Sequence, residues 1–412
     1  MSIPAPPEWS RRLFTVGVTG TNGKTSTTRW TAACLGRVAR PVAQTTTLGS
    51  YLDDAPYPTT KDFDGFLATM RAALDAGGRF ASVELTSEAL ARGFARAWPS
   101  RVGVFTNLTH DHLDAHGSPE HYLASKAQLF VTLPPGGTAV LNACDSSSEL
   151  LAEVLPDGVD VVRYAVPSRG PFLGEPELAA TVVEPSWEGT RIVVDVRGAM
   201  AQVPRELRIR AIGDVYAENA LAALAAAVVA GVPPEHAVEA LASVAPVHGR
   251  FERVSPEGPG PHVVVDYAHT PDALGRTVAA ARALCKGTLA VVFGAGGDRD
   301  KDKRAPMGAS ASAADRIFLT SDNPRSEDPA RIAAQIREGI APGVEVRVEL
   351  DRRAAIRAAI AAAAEGDVVL LAGKGHETDQ TIAGRSAPFD DAAEARAALA
   401  LRTTGRSGAS SP

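Results

Sequence analysis

Short apolar runs alternate with longer amphipathic or alanine-rich stretches along most of the chain. In the first half, the runs that predict strands lie at residues 12–18, 81–85, 102–105 and 139–141, with helical patterns between them. This alternation is typical of an α/β domain with a mainly parallel sheet. A helix is expected to follow the first strand and to extend to about residue 38.

The pattern changes after residue 160. Short runs at 161–164, 180–183, 191–196 and 207–209 predict antiparallel strands, and a helix over 215–230 is expected to close the domain. The alanine-rich stretch at 220–232 is too short to cross a membrane and predicts a buried helix. The first half of the chain therefore predicts a central domain over residues 1–245.

A Pro/Gly-containing hinge at residues 244–249 precedes a second series of alternating runs. Strands are predicted at 262–266, 289–293, 316–320, 344–348 and 368–372, each separated from the next by a helical pattern. We expect a Rossmann-like, doubly wound domain over residues 246–412. The tail from about residue 403 is rich in small and polar residues and is expected to be disordered.

Charge and composition exclude several classes of protein. The 412 residues carry a formal net charge of -6, which argues against binding to a nucleic-acid backbone. No apolar run is long enough for a membrane span, and the Pro-rich start lacks the apolar core of an export signal. Three cysteines without a CxxC pair are typical of reduced thiols, so a cytoplasmic protein is expected.

The clearest chemical motif follows the first strand directly. The residues are Gly20, Thr21, Asn22, Gly23, Lys24, Thr25 and Ser26. Glycines after a strand let backbone N–H groups surround phosphates, and the next helix contributes the positive end of its dipole. Lys24 would neutralise the β- and γ-phosphates of ATP, and the Thr25 hydroxyl would bind magnesium. The usual pattern places Gly where this chain has Val18, so a chance glycine-rich turn is the alternative.

Further motifs follow this phosphate loop in a fixed order. They are TNLTHDHLDAHG at 106–117, YLASK at 122–126, AENALAA at 217–223, HGRFE at 248–252, DYAHTPD at 266–272, GAGGDRD at 294–300, SDNPR at 321–325 and GKGHE at 373–377. This series resembles the Mur ligase family, most of all its diaminopimelate-adding branch, over roughly residues 12–390. The resemblance implies a P-loop-type central ATPase domain and a C-terminal domain that binds an amino acid.

The resemblance also implies a reaction. A substrate carboxylate would attack the γ-phosphate of ATP, an amine would attack the resulting acyl phosphate, and ADP and phosphate would leave. Thr25 and Glu84 match the ligands of one Mg2+, and His112 matches a ligand of a second. Lys126 matches a lysine that the family carbamylates and that helps to hold the second metal. From the residues alone, Lys126 could be a solvated surface lysine, His112 a loop histidine and Glu84 a strand-end charge.

Three residues match contacts to the nucleotide. Asn219 would hydrogen-bond adenine, although an N-cap of the following helix is the alternative. Arg250 and Asp266 would contact ATP from the second domain, Asp266 at the ribose, with a surface arginine and a turn aspartate as the alternatives. A second domain that covers ATP would exclude water from an acyl phosphate.

The amine site is implied by residues in the second domain. Arg325 would hold the distal carboxylate of diaminopimelate, because a planar guanidinium suits bidentate capture. Glu377 would bind the distal ammonium, and the other matching positions are Arg304, Asp322, Asn323 and Gly373. A simple Asp-Asn-Pro turn is the alternative.

Three departures from the family leave the acyl substrate open. The family's N-terminal UDP-binding domain is expected to be absent. The family's Glu-Val-Ser-Ser-His is Glu-Leu-Thr-Ser-Glu at 84–88, and its Thr-Thr-Pro ends in Lys61. The leading hypothesis is a ligase whose carboxylate substrate does not use a UDP group. The alternatives are a tripeptide synthetase with a separate substrate-recognition protein, or a non-catalytic nucleotide-binding subunit. The expected partners are small acyl and amino-acid substrates, without nucleic acid or membrane.

Overall fold

The fold consists of two compact units, Met1–Ala245 and Pro246–Pro412. They are seen in a computed structural model that describes residues 5–109, 119–172 and 174–407. The boundary lies inside the Pro/Gly stretch that the sequence marks as a hinge. Each unit has its own sheet and its own hydrophobic core.

One large sheet forms the centre of the first unit. Its strands are β1 (Phe14–Thr19), β2 (Ala43–Thr46), β3 (Gly49–Leu52), β4 (Ala55–Pro56), β5 (Phe80–Glu84), β6 (Val102–Phe105), β7 (Thr138–Asn142), β8 (Asp160–Ala165), β9 (Leu178–Ser186), β10 (Gly189–Val196) and β11 (Glu206–Ile209). The order is β11-β10-β9-β8-β7-β6-β1-β5-β2-β3-β4. Pairing is parallel from β2 to β9 and antiparallel at both ends. The strand that feeds the phosphate loop, β1, therefore lies between β5 and β6.

Helices pack against this sheet. They are α1 (Lys24–Leu35), α2 (Phe63–Asp75), α3 (Ser87–Ala91), α4 (Phe94–Ala97), α5 (Pro119–Phe130), α6 (Ser147–Glu153), α7 (Asp214–Val229) and α8 (Pro234–Ser243). The predicted buried helix is α7, whose small alanine side chains allow close packing against α1. Helix α1 ends three residues earlier than predicted, at the turn that begins with Gly36.

One sequence prediction for this unit was wrong, and four elements were not predicted. Strand β8 pairs in parallel with β7 and β9, although it was expected to be antiparallel. The crossover through α6 accounts for the parallel pairing of β8 with β7, because such a connection joins parallel strands. Strands β2 to β4 and helix α8 were not predicted. The β2 sequence, AQTT, is largely polar, so it gives no apolar signal.

The second unit has a six-stranded sheet that is parallel except at one edge. Its strands are β12 (Glu252–Arg253), β13 (His262–Asp266), β14 (Leu289–Phe293), β15 (Arg316–Leu319), β16 (Glu345–Val348) and β17 (Val368–Ala372). The order is β12-β13-β17-β14-β15-β16, with β12 antiparallel. A separate hairpin joins β18 (Asp379–Ile382) to β19 (Arg385–Pro388). This unit is the predicted doubly wound domain with an added hairpin.

The helices of the second unit follow the same alternation. They are α9 (Pro271–Leu284), α10 (Arg304–Ala311), α11 (Pro329–Arg337), α12 (Arg352–Ala362) and α13 (Asp391–Ser407). The backbone is helical through Ser407, whereas a disordered tail was expected from about residue 403. Because β13, β15 and β17 are parallel, the residues that follow each of them emerge at one edge of the sheet.

Packing in the second unit predicts a stability difference between two valines in one sheet. Val369 in β17 is 0% exposed and belongs to the core, whereas Val348 in β16 is 44% exposed. Val369→Ala should lower the free energy of unfolding by roughly 2 kcal/mol, because it removes buried methyl groups and leaves a cavity. Val348→Ala should change it by less than about 0.5 kcal/mol. Urea unfolding of both variants would measure the difference, and equal losses would contradict the assigned core.

Candidate active site at the strand ends

The phosphate loop is held in place by the residues that follow β6. Thr21 N donates to Asn107 O at 2.7 Å, and Asn22 N donates to Asn107 Oδ1 at 2.9 Å. The Thr106 hydroxyl donates to Asn22 O at 2.7 Å. Neighbouring backbone and side chains therefore set the shape of the loop, as phosphate binding by backbone N–H groups requires.

Both glycines of the loop occupy positions where a side chain would collide. A Cβ on Gly20 would lie 1.8 Å from Thr106 Oγ1, and one on Gly23 would lie 2.1 Å from Asn219 Oδ1. Their φ angles are 151° and 82°, which L-residues rarely adopt. The structure therefore uses these glycines for a close backbone approach, as the sequence predicts.

Asn219 lies on α7, and its side chain packs against the phosphate loop at Gly23. It is buried, and its Oδ1 lies 3.5 Å from the Thr27 hydroxyl. The alternative that it caps a helix is wrong, because α7 begins at Asp214 and Gly213 occupies the cap position. The proposed contact with adenine stays a prediction.

Lys24, Thr25 and Ser26 form the first turn of α1. Lys24 Nζ donates to Thr21 O at 2.7 Å, and Ser26 is buried. The Thr25 hydroxyl donates to Glu84 Oε2 at 2.9 Å. Glu84 reaches this position because it ends β5, where it is paired with Val18 of β1. The carboxylate is thus directed at the phosphate loop.

Thr47, which lies just after β2, also contacts Glu84 and was not predicted to be part of this site. Its backbone N donates to Glu84 Oε2 at 3.2 Å, and its hydroxyl lies 3.4 Å from Oε1. Two separate segments therefore orient one carboxylate. No sequence signal pointed to Thr47, because β2 itself was not predicted and the contact spans 37 residues.

The chemistry of these oxygen donors fits magnesium. A threonine hydroxyl and a carboxylate 2.9 Å apart, at the start of α1, are hard ligands of the kind that Mg2+ prefers. No group of three or more His, Cys, Asp or Glu side chains that could hold a metal occurs within residues 5–109, 119–172 and 174–407. His112 lies outside the described residues, so the second metal site stays a prediction.

Lys126 lies on α5 and is only 1% exposed. Its Nζ donates to Gly20 O at 2.8 Å and lies 4.1 Å from the centroid of the Tyr122 ring. The alternative of a solvated surface lysine is therefore wrong. The structure places this amine against the phosphate loop, and both its carbamylation and its part in holding a second metal stay predictions.

Arg250 and Asp266 are close together in the second unit, and both have defined partners. The Arg250 guanidinium lies 4.3 Å from the centroid of the Tyr267 ring. Asp266 accepts from Phe251 N at 2.7 Å and from Ala268 N at 2.9 Å. Burial raises the pKa of Asp266, and the Arg250 charge opposes that rise. Asp266 therefore organises the turn that carries Arg250.

The residues that match an amino-acid site emerge beside one another at the ends of β15 and β17. Asn323 Nδ2 donates to Glu377 Oε2 at 2.8 Å, which joins the two segments. Asn323 Oδ1 accepts from Thr381 N at 2.9 Å, in the β18–β19 hairpin. Gly373 has a φ of 111°, and a Cβ there would lie 2.6 Å from Asp322 Oδ2. A simple surface turn does not describe this arrangement.

Arg325 is held at both its backbone and its side chain. Its backbone N donates to Thr381 O at 3.0 Å, and its Nη1 donates to Gly297 O at 2.6 Å. Its φ of 53° lies in the left-handed region. The guanidinium is therefore presented from a fixed turn, next to the Gly296–Gly297 segment.

The Arg304 guanidinium is buried and hydrogen-bonded to other residues of the second unit. It is 1% exposed, and its Nη1 and Nη2 donate to Glu327 at 3.0 and 2.9 Å. Nη1 also donates to Gln335 Oε1, and Nη2 to Gly296 O at 3.2 Å. The Arg304 guanidinium lowers the pKa of Glu327 to about 2. Arg304 supports the turn to which Arg325 donates, and its contact with an amino-acid substrate stays a prediction.

Lys374 is a charged residue of this cluster that was not predicted to be part of the site. It is 0% exposed, and its Nζ donates to Glu377 Oε2 at 3.1 Å. The signal was available, because Lys374 stands inside the GKGHE motif. A glycine-flanked lysine gives no indication of burial, so only the structure shows that Glu377 has an internal cation.

Two domain families match the chain. The Mur ligase middle domain matches residues 18–227, and the glutamate ligase domain of Mur ligases matches residues 249–375. The chain belongs to the Mur ligase family. It is an ATP-dependent ligase that joins an amino acid through an amide bond, so the alternative of a non-catalytic subunit is wrong.

Named relatives of this Mur ligase share one description, UDP-N-acetylmuramoyl-L-alanyl-D-glutamate--2,6-diaminopimelate ligase. The protein of Synechococcus elongatus is 41% identical over 95% of this chain and 78% of its own length. That of Ralstonia nicotianae is 40% identical over 97% of this chain and 78% of its own length. A solved structure of such a ligase has 32% identity and a TM-score of 0.69, over 95% of this chain and 79% of its own. No helix among the described residues is long and apolar enough to cross a membrane.

The two sequence departures of this Mur ligase lie on exposed surfaces. Lys61 is exposed beside Asp62, which caps α2. Glu88 is exposed on α3 and forms an ion pair with Arg92 at 3.4 Å. Both side chains lie at the surface, so these two departures change the surface charge and not the core.

The tight contact at Gly23 predicts a selective loss of nucleotide binding. Gly23→Ala places a Cβ against Asn219 and should weaken the affinity for ATP by about tenfold or more, since the loop must shift. Gly77→Ala is the matched control, because Gly77 has a similar φ of 88° and no atom within 4 Å of its Cβ position. Titration calorimetry with ATP would compare them. Equal nucleotide affinities for the two variants would contradict the assigned close approach.

Proposed function

We propose that this Mur ligase adds a diaminopimelate-type amino acid to a carboxylate of a peptidoglycan precursor, with ATP and Mg2+. The observation that carries the proposal is the cluster at the ends of β15 and β17. There Asn323 donates to Glu377, and both Asn323 and Arg325 are hydrogen-bonded to Thr381 of the β18–β19 hairpin. The names of the relatives agree with this chemistry. Because ATP is consumed and the cysteines are free, we place the reaction in the cytoplasm.

At the phosphate end, Thr25 and Glu84 would hold Mg2+, which would neutralise charge on the phosphate oxygens. The backbone N–H groups of the phosphate loop would bind the ATP phosphates, and Lys24 would turn from Thr21 O to the γ-phosphate. Thr47 would keep Glu84 in its orientation. These residues position and neutralise the phosphoryl group while a substrate carboxylate attacks it, which is most of what such a transfer requires.

At the amine end, the two ends of diaminopimelate match the available charges. Lys374 and Asn323 both donate to Glu377 Oε2, so Oε1 is the oxygen that would receive the distal ammonium. Arg325 would take the distal carboxylate. Lysine would leave Arg325 without a carboxylate, and glutamate would leave Glu377 without an ammonium. A zwitterionic distal end satisfies both groups.

The acyl substrate admits two candidates. The relatives' names favour a UDP-linked muramoyl dipeptide. If this substrate is used, a separate UDP-binding protein would help to recognise it. The exposed Lys61 and Glu88 favour a carboxylate that is held without the UDP group, because they change the charges of two segments that face the acyl substrate in the family. Release of ADP should be measured with diaminopimelate, lysine, glutamate, aspartate and arginine, each against UDP-linked and UDP-free muramoyl peptides. Failure of diaminopimelate to exceed the other amines with every acyl substrate would overturn the proposed amine.

The assignment of Arg325 predicts a change in amine selectivity. Asparagine tolerates left-handed backbone, so Arg325→Asn should keep the turn and remove the guanidinium. The kcat/KM for diaminopimelate should fall by the equivalent of roughly 2–5 kcal/mol, whereas the KM for ATP should stay within about twofold. The preference for diaminopimelate over lysine should disappear. An unchanged ratio of the two amines would show that Arg325 does not select the substrate.

The carbamate hypothesis for Lys126 predicts chemical rescue. Lys126→Ala should be inactive, and acetate or formate should restore part of the rate because either supplies the missing carboxylate charge. Lys24→Ala is the control: it should lose on the order of 10²-fold or more in turnover, and these anions should not rescue it. ADP release with and without added acetate would measure both. Full activity of Lys126→Ala without added acetate would refute the hypothesis.

A further inference from the structure

Arg352 and Asp391 form an ion pair in the second unit that has no exposed side-chain surface. Arg352 Nε and Nη2 donate to the two carboxylate oxygens of Asp391 at 2.7 and 2.6 Å. Arg352 is the first residue of α12 and Asp391 the first residue of α13. The bidentate geometry locks the guanidinium in one plane. Nothing in the phosphate-loop or amine chemistry described above uses this pair.

The same guanidinium reaches the ends of two strands. Arg352 Nη2 donates to Ala372 O at 3.0 Å, and Nη1 lies 3.5 Å from Ser321 O. Ala372 directly precedes Gly373, and Ser321 directly precedes Asp322. One side chain therefore contacts the backbone just before each segment of the amine cluster.

A second side chain strengthens this connection. Gln380 Nε2 donates to Asp322 O at 2.9 Å and to Ser321 O at 3.2 Å. The turn after β15 is thus held from the Arg352 side and from the hairpin side. The turn after β17 receives its donor from Arg352, so loss of the guanidinium would release Ala372 O inside a buried region, where an unsatisfied carbonyl is costly.

We infer that Arg352 and Asp391 are positioning residues for amine selection: their ion pair sets the spacing between the Asp322–Asn323 turn and the Gly373–Glu377 turn. The inference rests on the proposed function, because it assumes that these turns bind the amino acid. Asp391 orients the guanidinium, and the guanidinium holds the two turns at the separation that the Asn323–Glu377 hydrogen bond requires. Neither residue contacts the substrate.

The chain supplies a matched control for this pair. Arg353 also links α12 to α13, through an ion pair with Glu394 at 2.7 Å. Its side chain is 47% exposed and lies 5.8 Å from the centroid of the Phe389 ring. Arg352 and Arg353 therefore differ in what they hold, although they join the same two helices.

The test compares Arg352→Lys and Arg353→Lys, since lysine keeps the charge and loses the planar fork. A double variant, Arg352→Met with Asp391→Leu, removes the pair without leaving one charge buried, and Arg353→Met with Glu394→Leu is its control. Circular dichroism and urea unfolding establish that each variant is folded. Arg352→Lys keeps the test valid if the double variant does not fold. Two readouts follow: ADP release with titrated diaminopimelate and titrated ATP, and hydrogen–deuterium exchange of the segments 320–326 and 372–378.

The expected result is a change in the KM for diaminopimelate without a matching change in the KM for ATP. For Arg352→Lys, the KM for diaminopimelate should rise by on the order of 10- to 100-fold with the KM for ATP within about twofold, and both segments should exchange faster. The Arg353 variants should match the unaltered chain. Unchanged amine KM and exchange would overturn the inference, as would equal losses for amine and ATP. If the unaltered chain releases no ADP with diaminopimelate, the proposed function fails, and the exchange comparison alone decides whether the pair positions the two turns.

Discussion

The contact between the phosphate loop and its neighbours leaves no room for a Cβ atom, and the rest of the first unit follows from this constraint. Thr106 presses against Gly20 and Asn219 against Gly23, so β6 and α7 must approach the end of β1 at a fixed distance. The alanine-rich surface of α7 allows that approach. Lys126, on α5, donates to Gly20 O and so joins a third element to the loop. A rigid backbone cradle is what phosphate binding needs, because the N–H groups must converge before the nucleotide arrives.

Internal ion pairs organise the second unit in a different way. Three buried cations, Lys374, Arg304 and Arg352, each have a carboxylate partner within the same unit. Such pairs add little net stability, because desolvation offsets much of the attraction. They restrict geometry, however, since an unpaired buried charge is costly and alternative arrangements are thereby disfavoured. The strand-end turns are therefore ordered by electrostatics, whereas the phosphate loop is ordered by backbone packing.

The strands of the parallel sheets could be predicted from sequence because they are continuous apolar runs; β6, β13, β14 and β17 have the predicted bounds. The polar β2 carries no such run. Its neighbour Thr47 was missed with it, and so was the orientation of Glu84. The structure brings together the motif residues that predicted an amine site, but the motifs could not show that Arg304 pairs with Glu327 or that Lys374 pairs with Glu377. Burial and ion pairing depend on which distant segments meet in the fold, and the spacing of motifs along the sequence does not give this information.

The left-handed backbone at Arg325 has an evolutionary consequence. A main-chain hydrogen bond from Arg325 to the β18–β19 hairpin helps to hold the turn, and this bond does not involve the Arg325 side chain. A descendant that changed its amino-acid substrate could replace this one residue without remodelling the surrounding sheet. The replacement would be drawn mainly from residues that tolerate a φ near 53°, above all glycine and asparagine. A single amino-acid substitution at this position can therefore change the preferred amino-acid substrate, while the rest of the fold is inherited unchanged.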